Sequence, residues 1–331
     1  MPVTIVFGGQ FGSEGKGKVA HFFTIKENAK YCVRVGGPNS GHTVYRDGNP
    51  LIFRILPTGV IEKNTVAILP AGSYIDLSIL KHEISISGIN RDRLLIDENA
   101  VVISEQMKRA EIDSCLRELI GSTESGTGNA VVQRILRNDI GILAKNCLDL
   151  KSYICDTKRV MREACNNNEK IIIEGTQGFG LSLLHAKDFP YVTSRDTSAA
   201  AFLAETGLSP FDVKNIVMVI RAFPIRVSGK SGHLPNEIDW NIIREEAGYD
   251  YDMTEYTSCT KRVRRVARFD SEIVKSSIIS NNPNIIVLNH LDYVKESIRN
   301  TFISQLENQI SQKINFVGID PISLKNKEEF L

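Results

Sequence analysis

The apolar run Val3-Thr4-Ile5-Val6-Phe7 passes directly into Gly8-Gly9-Gln10-Phe11-Gly12-Ser13-Glu14-Gly15-Lys16-Gly17-Lys18, and few folds accommodate that junction. A buried strand followed by five glycines and two lysines leaves backbone N–H groups and two cations facing one space. Phosphate is the natural occupant. From Gly12 the spacing reads G-x-x-x-x-G-K, but Val19 stands where a P-loop needs Ser or Thr to hold magnesium, so this is not an ordinary P-loop. The plainer alternative is a glycine turn that only joins a strand tightly to a helix.

Further apolar segments at 31–35, 65–69, 94–97, 171–173, 215–222, 285–288 and 314–317 read as strands. Helical patterns fall between them at 19–28, 75–86, 104–120, 129–137, 151–166 and 301–312. Such alternation predicts an α/β fold, with a mostly parallel central sheet flanked by helices on both faces. A hairpin about Asp47-Gly48, joining 43–45 to 50–56, is expected at the periphery. No internal repeat or long linker interrupts the pattern, so one domain with loop and helical insertions is expected over 1–331.

The charge balance narrows the partners. Lys plus Arg (40) nearly cancels Asp plus Glu (39), so no global field draws in nucleic acid or an anionic membrane, and any anion site is local. No run approaches the ~20 apolar residues of a membrane span. The six cysteines, Cys32, Cys115, Cys147, Cys155, Cys165 and Cys259, form no C-x-x-C pair. They are expected as reduced thiols in a cytoplasmic protein.

Several polar loops follow strands. In Gly36-Gly37-Pro38-Asn39-Ser40-Gly41-His42-Thr43 a strand delivers a histidine, bracketed by flexible backbone, to a crevice. The loop 121–128 either holds a second phosphate or is a flexible connector. In Glu174-Gly175-Thr176-Gln177-Gly178 the glutamine can read the edge of a planar heterocycle, or is a turn residue. Residues 257–265 gather four cations and three hydroxyls without aromatic interleaving, which fits a small carboxylate better than nucleic acid. Asn289-His290-Leu291-Asp292 ends a strand in groups able to read a purine base.

Taken together, in order, these loops resemble those of the adenylosuccinate synthetase family over most of the chain, in a short form of its P-loop-like fold. The resemblance implies a magnesium-dependent ligase, usually a homodimer, that uses a nucleoside triphosphate to join L-aspartate to the 6-position of a purine monophosphate. By position it implies phosphate and triphosphate binding by Gly12, Ser13, Glu14, Gly15, Lys16, Gly17, Gly41, His42 and Thr43, with Asn289, Asp292 and Gly318. Lys16 would clamp the phosphoryl in flight, His42 would be the general acid for the departing oxygen, and the Gly41 backbone would ligate magnesium. Asn39, Ser122, Thr123, Gln177 and Thr193 match positions that hold the purine monophosphate, and Arg137 matches an arginine that reaches into the partner subunit's site. Thr260, Arg262 and Arg264 match the aspartate-binding loop.

Three departures bear on the substrate. Ser13 stands where the family has an aspartate that ligates magnesium and removes the proton from purine N1, and a positioned base is worth about 100- to 10,000-fold. Serine is shorter and can accept a hydrogen bond from a 2-amino group, and this replacement marks viral relatives that act on dGMP on the way to 2-aminoadenine DNA. The path from Asp292 to Gly318 is a single helix, as in archaeal and viral short forms. His290 replaces the lysine of the guanine-reading Lys-x-Asp, which favours ATP or dATP over GTP as donor, although Asp292 still permits guanine. The expected substrates are therefore dGMP, L-aspartate and ATP or dATP. The rivals are an ordinary synthetase acting on IMP with GTP, and a purine-nucleotide-binding protein that has lost catalysis.

Overall fold

The computed structural model of the chain describes residues 1–137, 142–257 and 262–330. Its centre is a ten-stranded sheet. In chain order the strands are β1 (Val3–Gly8), β2 (Tyr31–Arg34), β3 (Val66–Leu69), β4 (Leu94–Asp97), β5 (Ile154–Cys155), β6 (Ile171–Glu174), β7 (Val213–Arg221), β8 (Ile285–Asn289), β9 (Phe316–Val317) and β10 (Lys325–Asn326). Their spatial order is β5-β4-β3-β2-β6-β1-β7-β8-β9-β10, and every pairing is parallel except β9 with β10.

Side-chain alternation assigns the two faces. Val3, Ile5 and Phe7 of β1 join Ile171, Ile173, Met218 and Ile220 in one core cluster, while Val6, Ile172, Val217 and Val219 point into another. The second cluster receives Val19, Ala20 and Phe23 of α1 (Lys16–Lys26). The first receives the helices Thr157–Asn166, Ala199–Thr206, Ser271–Asn281 and Arg299–Ile310 through residues such as Met161, Phe202, Val274 and Leu306. Both faces of the sheet are thus covered, which is why its strands read as unbroken apolar runs.

The parallel strands end in polar residues that share a level. Arg34 lies opposite Glu174 in the β2–β6 pair and Arg221 opposite Asn289 in the β7–β8 pair, and all four are at most 2% exposed. This row, at the carboxyl edge of the sheet, is where ligands of open parallel sheets bind.

Some expectations change. The helical pattern at 104–120 is two helices, Glu105–Asp113 and Leu116–Ile120, because Cys115 takes a left-handed conformation with φ 52°. The pattern at 151–166 is helical only over Thr157–Asn166, where Asp156 caps the first turn; ahead of it Ile154–Cys155 adds a strand to the sheet edge. The helices Ala199–Thr206, Trp240–Ala247 and Ser271–Asn281 are additional to those expected. The hairpin His42–Arg46 with Asn49–Phe53 forms about Asp47-Gly48 but is not peripheral, since it packs on α1 and carries His42. Among the described residues the cysteines are unpaired and no helix is long and apolar enough to cross a membrane; Cys259 lies outside the described residues.

Candidate active site

A cleft of about 440 Å³ opens over the carboxyl edge of β1, β6, β7 and β8. Of the residues expected at the site, it is lined by Gly12, Ser13, Gly15, Lys16, Gly17, Asn39, Gly41, His42, Thr43, Thr123, Gln177, Arg264, Asn289 and Asp292. These come from six separate stretches of sequence. The fold brings them to one place.

The loop after β1 is braced from within. Glu14 is fully buried, and its Oε1 accepts the N–H of Gln10 at 3.1 Å and of Gly12 at 2.8 Å, while Oε2 pairs with Lys16 Nζ at 2.7 Å. Glu14 therefore holds the loop open rather than facing the cleft. The two N–H groups it occupies are not free for phosphate, and the anion site is left to Lys16 and to the first turn of α1, whose positive dipole end points into the cleft. Gly17 must be glycine, because a Cβ there would lie 2.9 Å from His42 Cβ and from the Thr43 carbonyl. Ser13 sits at the exposed tip with φ 59°, its carbonyl accepting from Arg221 Nη1 at 3.0 Å. Gly178 carries Gln177 alongside: a Cβ at 178 would stand 2.5 Å from the Gln10 carbonyl and from Gly12 N, and Gly180 N donates to Gln10 O at 2.7 Å.

His42 is 7% exposed, with Nδ1 donating to Glu174 Oε1 and lying against the Arg34 guanidinium. Glu174 also accepts from Arg34 at 2.7 Å and from the Thr58 N–H and hydroxyl at 2.7 and 2.8 Å. Burial would raise the Glu174 carboxyl, but the His42 bond and the Arg34 charge hold it below its usual range. For His42, burial and the Arg34 charge outweigh Glu174 and push the imidazole down to about 3, so the ring is neutral. With Nδ1 engaged, Nε2 is the nitrogen left for a ligand.

Lys18 is also drawn into the wall, donating to the carbonyls of Asp320 at 2.8 Å and Ser323 at 3.3 Å. Burial lowers its pKa to about 8 against the opposing charges of Asp320 and Asp292. Asn289 donates from Nδ2 to the Glu14 carbonyl at 2.8 Å, and its buried Oδ1 has no partner among the described residues. Gly318 backs Asn289 and Lys18 without lining the cleft.

Other expected residues lie apart from the lining. Ser122 accepts from Glu124 N, Thr193 N donates to Leu181 O, and Arg262 is exposed. Arg137 ends the helix Thr127–Leu136 on the exposed surface with φ 57°. Thr260 lies outside the described residues. Sequence reasoning missed Phe11, Tyr45, Arg226, Glu255 and Tyr293 on the wall, and Arg34 and Arg221 beneath it. The strand-end position of the two arginines was the only signal for them.

Among the described residues no group of three or more His, Cys, Asp or Glu could hold a metal. The donors at the expected magnesium position, the Ser13 hydroxyl and the Gly41 carbonyl, are hard but neutral oxygens. Such a set fits a magnesium ion held mainly by phosphate oxygens and water.

Comparison with known proteins identifies the family. The adenylosuccinate synthetase family model matches residues 5–150 and 142–304. The chain is 34% identical over 337 residues to the adenylosuccinate synthetase of Methanococcus aeolicus, with 97% of each covered. It is 36% identical to that of Methanocaldococcus jannaschii, over 94% of this chain and 89% of the relative. Among solved structures, the fully ligated adenylosuccinate synthetase of Plasmodium falciparum shares the fold, with TM-score 0.84 at 21% identity and 97% of each chain covered. The succinoaminodeoxyadenylate synthetase of cyanophage S-2L, bound to dGMP and to dATP as an energy donor, superposes with TM-score 0.85 at 26% identity over 98% of this chain and 95% of its own. The chain belongs to the adenylosuccinate synthetase family, the C–N ligases that couple aspartate to a purine nucleotide.

Proposed function

We propose that this ligase joins L-aspartate to the 6-position of dGMP, hydrolysing ATP or dATP to the diphosphate and phosphate and giving N6-succino-2-amino-2'-deoxyadenylate for 2-aminoadenine DNA. The observation that carries this reading is Ser13: a short, exposed hydroxyl at the loop tip, next to the purine-reading Gln177. It leaves room for a 2-amino group and can accept a hydrogen bond from it. The likeness to the cyanophage enzyme supports the same choice of nucleotide and donor.

In this reading Lys16 and the first turn of α1 hold the phosphoryl groups, and the purine 6-oxygen, once phosphorylated, is displaced by the aspartate amine. His42 gives a proton to the departing oxygen from Nε2. The Ser13 hydroxyl and the Gly41 carbonyl, together with phosphate oxygens, would hold magnesium, which when bound would neutralise phosphoryl charge. Asn39, Ser122, Thr123, Gln177, Thr193 and a partner-reaching Arg137 hold dGMP, while Thr260, Arg262 and Arg264 hold aspartate. Asn289, Asp292 and Gly318 serve the donor base, Asn289 and Asp292 from the cleft wall. The chain works as one domain, as a cytoplasmic homodimer. The exposed Val132, Ile135 and Leu136, just before Arg137, give a second copy an apolar strip.

The curated archaeal relatives, with Asp292 in the cleft, favour a second reading, an ordinary synthetase using IMP and GTP. Incubation with aspartate, magnesium and ATP, dATP or GTP, once with dGMP and once with IMP, separates the two by product mass. Product from dGMP is expected, and product from IMP alone overturns the proposal. Binding of dGMP without phosphate release supports the reading as an inactive binding protein. Sedimentation analysis tests the dimer.

A further inference from the structure

Outside the central sheet, a backbone pairing sets an arginine beside a carboxylate on the cleft wall. Arg264 N donates to the Glu255 carbonyl at 2.9 Å, and Thr257 N to the Arg262 carbonyl at 2.8 Å. Register therefore fixes the neighbours, and their side chains approach to 3.6 Å between Nη1 and Oε2. Both line the cleft.

The two oxygens of Glu255 are not equivalent. Oε1 accepts from Arg221 Nη2 and from the Tyr293 hydroxyl, the latter at 2.7 Å. Among the described residues, Oε2 has only Arg221 Nη1 at 3.4 Å and Arg264 Nη1 at 3.6 Å. Both are longer than a strong charge-assisted bond, so Oε2 keeps acceptor capacity, and the side chain is 19% exposed. Burial would raise the Glu255 pKa, but the Arg221 charge, with His290 and Arg264, holds it well below the carboxylate range. The group stays ionised and suits holding a cation more than removing a proton.

An α-amino acid presents an anion and a cation on adjacent carbons. We propose that Glu255 Oε2 binds the α-ammonium group of the amino-acid substrate while Arg264, beside it, takes a carboxylate of the same molecule. This rests on the reading of Arg264 as an aspartate ligand. The competing role, neutralising the buried Arg221 and nothing more, would affect all ligands alike.

Succinate, which is aspartate without its amine, separates these. The wild type is expected to bind succinate, as a competitive inhibitor, on the order of 10- to 100-fold more weakly than aspartate, the worth of a charge-assisted bond. Glu255→Gln should raise the aspartate KM by a similar factor while leaving the succinate Ki and the nucleotide KM values unchanged. Arg264→Gln should weaken both aspartate and succinate. If Arg264→Gln weakens both but Glu255→Gln leaves their ratio as in the wild type, the ammonium role is overturned and the carboxylate role stands. If Arg264→Gln changes neither, the carboxylate role is lost and the ammonium role goes with it. Should Glu255→Gln not fold, the wild type decides alone: succinate binding as tightly as aspartate overturns the proposal.

Discussion

His42 is a neutral ring, yet the general acid we propose it to be needs a proton at the nitrogen that faces the substrate. The groups that keep it neutral are burial and the cations Arg34 and Lys16, and phosphate oxygens beside it act in the opposite sense. Nucleotide binding should therefore draw a proton onto the protein. Calorimetry near neutral pH, in buffers of different ionisation enthalpy, is expected to show net uptake that His42→Asn lacks. The same depressed pKa acts on stability. The unfolded chain takes up this proton below about 6.5 and the folded chain only near 3, so stability is full above about 6.5 and falls as pH drops toward 3, by up to ~1.4 kcal/mol per pH unit. Urea midpoints measured from pH 7 to pH 4 should fall less steeply for His42→Asn. The histidine itself was legible in the sequence, standing in a glycine loop after a strand. Its partner Glu174 is 132 positions away, and only the β2–β6 register brings Arg34 and Glu174 to one level beneath it.

At the level of elements, the loop after β1 and the loop after β6 interlock, and Gly178 is the point of closest approach. Gly178→Ala pushes a Cβ against backbone atoms at 2.5 Å that cannot swing aside. A loss of about 1–3 kcal/mol in denaturant unfolding is expected, with nucleotide binding lost as Ser13 and Gln177 part. Gly248→Ala is the contrasting case: φ is +80° with nothing within 4 Å, so it should cost about 1 kcal/mol and leave binding intact. The strands were legible because burial on both faces makes them uniformly apolar. The helix Ala199–Thr206 was harder: Ala199, Phe202, Leu203 and Thr206 do keep helical spacing between the Ser198 cap and Gly207, but over only eight residues. Cys115 carries no turn signature, so the break it makes could not be read from residue type. Arg221 and Glu255 escaped for another reason: each is explained by the other, across 34 positions of chain.

Across the whole molecule, the cleft joins the beginning of the chain to its end, for Lys18 is held by carbonyls 302 and 305 positions later. Lys18→Met removes both bonds while keeping most of the side-chain bulk. Hydrogen exchange should then rise across 318–324, and the stabilisation by ATP should shrink from the ~2.7 kcal/mol expected at 100 times its dissociation constant. A thermal melt with and without ATP measures it. The sheet order has a consequence for synthesis. β1 is made well before its sheet neighbours β6 and β7, which end at residues 174 and 221. During translation this apolar strand must wait, unpaired, until residues 171–174 of β6 have left the ribosome, so the emerging chain has a standing need for something to shield it.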